Sequence, residues 1–192
     1  DEDDIVIDAF RSLAESHPGL LLLLAPRKPE FFDVAARKLE QAGVAFTRRS
    51  ALGELALPGV LLLDSMGELS GLFARADVVF MGGTIAPRGG HNILEPAMFG
   101  KPIVVGSHME NFRDIADLFR SAGALVEVGS GAELAGAVGA LRPDRGRAAE
   151  VGGPAKMSWE APRGAAASRG RRVLARNEAA APPRVPRLPA CG

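Results

Sequence analysis

One arginine, one histidine, one asparagine and one glutamate sit among five glycines and three prolines in MGGTIAPRGGHNILEPAMFGKP, Met81 to Pro102. Gly82, Gly83, Gly89 and Gly90 allow positive φ and close approach of the backbone to a ligand, and a helix start with Asn92 as N-cap offers free N–H groups. The stretch reads as an anion cradle. It carries neither G-x-x-x-x-G-K-[ST] nor G-x-G-x-x-G, so the common nucleotide loops do not apply. Glu95, one turn into the expected helix, is a two-oxygen acceptor suited to a pair of ribose hydroxyls.

Two further turns carry polar groups of the same kind. Arg27, in PRKPE, could hold a phosphate or carboxylate by two-point contact, or pair with Glu30 at the surface. Met66, Gly67 and Glu68 open another expected helix, whose first N–H groups could read a base edge; alternatively Glu68 complements the helix dipole. His91 and Glu95 stand four apart and could share a metal, but two ligands are too few, and no metal is expected. His108 follows a strand and could face the same cleft or be hydrogen-bonded within its loop; His17, beside Pro18, reads as a turn residue.

The elements that must position these groups alternate. Apolar residues at Ile5, Val6, Ala9, Phe10 and Leu13 have helical spacing, and the run Leu20 to Ala25 reads as a strand buried on both faces. Then follow a helix Glu30 to Ala42, a weak strand Ala45 to Arg49, a strand Val60 to Leu63 and a helix Gly67 to Ala76. Next come a strand Val78 to Met81, a helix Asn92 to Phe99 and a strand Ile103 to Val105. A helix Asn111 to Ser121, a strand Leu125 to Val128 and a helix Ala132 to Leu141 complete the series. This order gives an α/β fold, a Rossmann-like parallel sheet with helices on both faces. In such a sheet ligands collect outside the C-terminal strand ends, where the three polar turns fall.

Residues 1–141 hold 12 basic and 19 acidic groups, and 142–192 hold 11 and 4. An acidic folded part argues against nucleic-acid binding, which needs clustered Lys and Arg. Cys191 is the single cysteine and can form no internal disulfide, so a reducing compartment is favoured. The longest apolar run, Leu20 to Ala25, is far short of a bilayer span, and the start DEDD is unlike a signal peptide, so the chain is expected to be soluble. That start, with no Met, reads as that of a chain cut from something longer.

After Arg142 the texture turns to Ala, Pro, Gly and Arg with few large apolar residues. Residues 143–192 are therefore expected to be a largely disordered tail, with disorder beyond about Ala161 and a short helix around Arg171 to Ala181 as one element weighed. Two readings of this tail stand: a basic segment touching anionic lipid headgroups, and a tail with no native role.

GGTIAPRGGHNILEPAMFGKPIVVG, followed by HMENF, closely resembles the donor-site region of the 3-deoxy-D-manno-octulosonic acid (Kdo) transferases, which transfer Kdo from CMP-Kdo to the lipid A precursor lipid IVA. PRKPEFFDVA is similar to their PRHPERF segment, and SMGEL to their helix-opening M-G-E. The resemblance covers roughly residues 1–142. It implies the C-terminal half of a two-domain GT-B glycosyltransferase, with the N-terminal acceptor domain absent. CMP contacts carry over to Pro26 and Arg27, to Met66, Gly67 and Glu68, and to Asn92, Ile93, Leu94 and Glu95; Gly83, Arg88, Gly90, His91 and His108 are further candidates. The sequence departs from the family at Lys28, where His is usual, at Phe31, where Arg is, and at Ser107, where Pro is common. Lys28 alters the charge near the phosphate.

The resemblance implies an inverting transfer in lipopolysaccharide biosynthesis with no cofactor, at the cytoplasmic face of the bacterial inner membrane. The membrane anchor, acceptor site and carboxylate general base are expected in the absent domain, so no catalytic residue is named and the isolated chain is expected to be inactive. Two rivals stand beside it: a GT-B enzyme or epimerase using a uridine sugar nucleotide, and a nucleotide-binding module without catalysis.

Overall fold

A computed structural model describes residues 2–51, 53–142 and 144–160. The expectations for the tail beyond Ala161, including the helix at 171–181, lie outside the described residues. The elements run α1 Glu2–Ala14, β1 Leu21–Leu24, α2 Phe32–Gln41, β2 Phe46–Arg48, β3 Gly59–Leu62, α3 Leu69–Leu72 and β4 Val79–Phe80. They continue with α4 Leu94–Met98, β5 Ile103–Val105, α5 Arg113–Ser121, β6 Val126–Glu127, α6 Gly131–Leu141 and α7 Arg145–Glu160.

The strands form two three-stranded parallel sheets, in the orders β1-β3-β2 and β4-β5-β6. Every residue of β3 and of β5 is buried, as befits the middle strand of each sheet. β1 was expected to be buried on both faces. It is the outer strand of its sheet, Leu21 remains 36% exposed, and only Leu24 of the four is buried. A continuous leucine run reports how apolar a strand is, not whether it has a neighbour on both sides.

α1 ties the two halves together because its apolar stripe is wide. Ile7 and Phe10 pack with Leu39 of α2 and with Val60 and Leu62 of the first sheet, while Ala9 packs with Val104 of the second sheet, Val128 after it and Leu134 and Leu141 of α6. α6 can lie close to α1 because glycines face it: a Cβ on Gly131 would stand 3.2 Å from Ile5 Cγ2, and one on Gly139 3.3 Å from Leu13 Cδ2. Ser130 caps α6, accepting from the Glu133 N–H at 3.2 Å, while the Glu133 carboxylate accepts from the Gly129 N–H at 2.8 Å.

The folded part does not stop at Arg142, where the composition changes. α7 packs on α4 and α5, Ala155 is fully buried in the second core, and Val151 is partly buried beside Ala9 and Val104. Large apolar side chains are scarce there, and the contact is made by small ones. A Cβ on Gly152 would run into the Gly100 carbonyl, so the helix backbone itself lies against the turn after α4. No helix among the described residues is long and apolar enough to cross a membrane.

Candidate functional site

The turns after β1 and β3 are neighbours because their strands pair in register to the end. Leu24 lies opposite Leu62, and the Leu63 N–H donates to the Leu24 carbonyl at 2.8 Å. The turn after β4 meets them where Arg27 Nη1 stands 3.2 Å from His91 Nδ1. Glu30 does not compete for Arg27, since its carboxylate lies 3.4 Å from the Lys28 ammonium. The alternative of an Arg27–Glu30 surface pair is therefore overturned.

His91 is half-buried. Burial and the adjacent Arg27 charge pull its pKa below the ordinary histidine value, and the Glu2 carboxylate offsets part of this. A guanidinium can only donate, so Nδ1 accepts and the ring proton sits on Nε2. Glu95 lies one helical turn on, also half-buried. Burial raises its pKa, and its carboxylate has no hydrogen-bond or ion-pair partner among the described residues.

The glycine-rich turn differs from the expected cradle in what fills it. Gly83, Gly89 and Gly90 do have positive φ, at 72°, 82° and 75°, whereas Gly82 does not. The groups that approach them closely belong to the chain itself. A Cβ on Gly89 would strike the Asn111 amide, and one on Gly90 would stand 2.6 Å from Met109 Sδ. The Asn111 N–H donates to the Gly89 carbonyl at 3.0 Å, so the turn folds onto the loop after β5. The cradle's N–H groups are taken by Glu2. Its Oε2 accepts from Gly83, and its Oε1 accepts from Thr84 at 2.8 Å, Ile85 at 2.5 Å and Ala86 at 3.0 Å. Thr84, fully buried, locks the same turn, with its hydroxyl donating to the Met81 carbonyl at 2.6 Å and accepting from the Gly106 N–H at 2.7 Å.

The helix starts are weaker than expected. The helix foreseen over Asn92–Phe99 is a five-residue α4, too short for a strong dipole. Its N-cap is Ile93. Asn92 instead accepts from the Leu94 N–H through Oδ1 at 3.1 Å, which satisfies one donor that a ligand was expected to use. Pro96 sits inside α4, and Gly100 at φ 63° follows it.

The helix foreseen over Gly67–Ala76 is likewise only α3 and one 3-10 turn. Glu68 is its N-cap residue but makes no side-chain cap; its carboxylate accepts from Arg49 Nε at 2.9 Å and Ser65 Oγ at 2.7 Å. Next to it, Asp64 accepts from the Ser50 N–H at 2.8 Å and the Ser50 hydroxyl at 2.5 Å. Burial pushes the Asp64 carboxyl up, but the Ser50 hydrogen bonds, with help from its own N–H and Arg48, outweigh that and hold it below the usual carboxylate range. This polar lattice fixes the turn that presents Met66, 64% exposed, and Gly67 at φ 88°.

Of the other candidates, Pro26 is partly buried beside Arg27, Ile93 and Leu94 are buried in the second core, and Arg88 is exposed at the tip of the glycine-rich turn. His108 is a hydrogen-bonded loop residue: its Nδ1 meets Glu110 Oε1 at 2.9 Å, and its N–H donates to the Thr84 carbonyl. His17 Nδ1 lies 2.9 Å from the Leu13 carbonyl at the end of α1. Glu2, Arg49, Asp64 and Asn111 escaped the sequence reading. Only Glu2 had a local signal, an acidic run at a helix start, and that signal points to the dipole of α1 and not to a turn 81 positions away.

No family model matches the chain. It is 41% identical over 134 residues to the 3-deoxy-D-manno-octulosonic acid transferase of Haemophilus influenzae, covering 69% of this chain and 31% of that protein. Against the enzyme of the same name from Bordetella pertussis it is 44% identical over 132 residues, covering 64% and 30%. The chain thus spans about a third of the length of these curated relatives. Its fold matches the crystal structure of the C-terminal CMP-Kdo binding domain of WaaA from Acinetobacter baumannii, with a TM-score of 0.79 and 29% identity over 83% of this chain and 84% of that one. With sequence and fold in agreement, the chain belongs to the 3-deoxy-D-manno-octulosonic acid transferase family and corresponds to its C-terminal, GT-B domain.

Proposed function

We propose that this chain holds the CMP part of CMP-Kdo, as the donor half of a glycosyltransferase that adds Kdo to lipid IVA in lipopolysaccharide biosynthesis. The observation that carries the reading is the fold match to a domain described as CMP-Kdo binding, together with 41% identity to about a third of a Kdo transferase. The site supports it through Glu95, a half-buried carboxylate without a partner among the described residues and therefore ready to accept from two ribose hydroxyls. Pro26, Met66, Gly67, Asn92, Ile93 and Leu94 complete the nucleotide's surroundings, with Glu68 braced by Arg49.

Transfer is inverting: an acceptor hydroxyl displaces CMP through an oxocarbenium-like transition state. CMP is a good leaving group, so the work of this half is to hold it in line and to stabilise the charge growing on its phosphate. Arg27 does that, exchanging its contact with the neutral His91 for a two-point contact with the phosphate. The general base and the lipid acceptor site belong to the other half of the enzyme, at the cytoplasmic face of the inner membrane.

Titration of the purified chain with CMP, and separately with UDP, tests the reading. Selective CMP binding, weakened by both Arg27→Ala and Glu95→Ala, is expected, with no Kdo transfer by the isolated chain. Preference for UDP would favour a uridine-dependent GT-B relative instead, and absence of binding to either would leave a fold without its ligand.

A further inference from the structure

We infer that Glu2 is a positioning residue whose carboxylate is the resident anion of the glycine-rich cradle, so that the donor phosphate is held beside the cradle and not in it. The inference rests on the donor-site reading above and deepens it. Glu2 is 8% exposed, one of the few buried charged or polar residues among those described. An acidic residue in the first turn of a helix ordinarily serves that helix's own dipole. Here the side chain crosses from α1 to the turn after β4 and accepts from four successive backbone N–H groups, those of Gly83, Thr84, Ile85 and Ala86.

A buried carboxylate is costly unless compensated, and four charge-assisted hydrogen bonds from a concave run of amides compensate it fully. They also leave no backbone donor on residues 83–86 for a phosphate. The Thr84 hydroxyl is engaged with Met81 and Gly106. Outside the cradle Arg27 and His91 meet, and the His91 ring packs over Gly83: a Cβ there would stand 3.3 Å from Nε2. The carboxylate thus sets the turn, the turn seats His91, and His91 meets Arg27.

The test is NMR of the whole chain with CMP as the probe, on wild type, Glu2→Gln and Glu2→Ala. In the wild type the amide protons of residues 83–86 should resonate far downfield and stay there as CMP saturates. Glutamine keeps one acceptor oxygen for Thr84, Ile85 and Ala86 but turns an NH2 toward Gly83, so Glu2→Gln should lose the Gly83 signal first and bind CMP about tenfold more weakly. Glu2→Ala should lose all four signals and weaken binding further, with added formate restoring part of both.

Removing the charge in Glu2→Gln should also lower the His91 pKa further, a change that loosening of the fold alone would not produce. The inference is overturned if CMP shifts the four amides of the wild type and Glu2→Ala binds CMP as well or better, for the cradle is then the phosphate site and Glu2 its placeholder. If Glu2→Ala fails to fold, Glu2→Gln decides between these outcomes by the same amide and affinity readings. A wild type that binds no CMP while its amides still depend on Glu2 would overturn the donor-site reading and the positioning role together, leaving Glu2 as a group that holds the fold.

Discussion

Arg27 donates to His91 across 64 positions of sequence, Nη1 to Nδ1 at 3.2 Å, and this contact requires the imidazole to be neutral. Burial, then the Arg27 charge, disfavours the imidazolium. The folded state therefore binds the proton less readily than the unfolded state. His91 costs no stability above the ordinary histidine pKa and lowers stability as pH falls from that value through its depressed folded value. Arg27→Ala should move the His91 titration upward yet leave it below the ordinary value, because burial remains; following the imidazole carbon-bound protons by NMR against pH measures it. An unmoved titration would mean that the two side chains do not meet in solution.

Glu95 titrates in the opposite sense. Burial raises its pKa, so the folded state pays for ionisation at neutral pH and is relieved as pH falls through the raised value. Glu95→Gln should stabilise the chain at pH 7, modestly because water still reaches half the side chain, and the gain should vanish in acid. CMP affinity should fall in the same variant. Thermal melts at pH 7 and pH 4 with a parallel CMP titration check both halves.

Arginine and lysine should not be equivalent at position 27. A charge-assisted contact to phosphate is worth about 1.5–3 kcal/mol, so Arg27→Ala should weaken CMP binding by roughly 10- to 100-fold. Arg27→Lys keeps the charge but loses the planar fork and should recover only part of that loss. Calorimetric titration of the two variants side by side would show it, and equal affinities for all three proteins would remove Arg27 from the site.

Neighbouring glycines of α7 should respond differently to alanine. Gly153 has open space away from its chain neighbours, but it precedes Pro154, whose ring crowds a Cβ on the preceding helical residue and offsets the propensity gain, so Gly153→Ala should be close to neutral. Gly152→Ala should be destabilising by about 1–3 kcal/mol, because the new methyl meets the Gly100 backbone. Urea unfolding of the pair checks whether α7 lies on the turn after α4; a Gly152→Ala as mild as Gly153→Ala would place α7 elsewhere.

The strands and most helices were legible because each is written in adjacent residues. The leucines of β1 and the run GVLL of β3 mark strands, and Gly43 and Gly100, at φ 66° and 63°, end helices where expected. The short helices were over-read: α3 carries glycine and α4 proline, and both stop within two turns. α7 was under-read, because burial by glycine and alanine leaves no apolar stripe for a periodicity to reveal.

At the site, residue types alone marked the three turns, and the glycine positions requiring positive φ were readable at Gly83, Gly89 and Gly90, where only a residue without Cβ fits. What occupies those turns was decided by packing. α1 lies across both sheets, and that docking carries the Glu2 carboxylate into the cradle. Sequence by itself determined conformations, because φ and hydrophobic period depend on near neighbours. Tertiary structure decided the partners, because a hydrogen bond between residues 2 and 84 exists only once helix and sheet have been brought together.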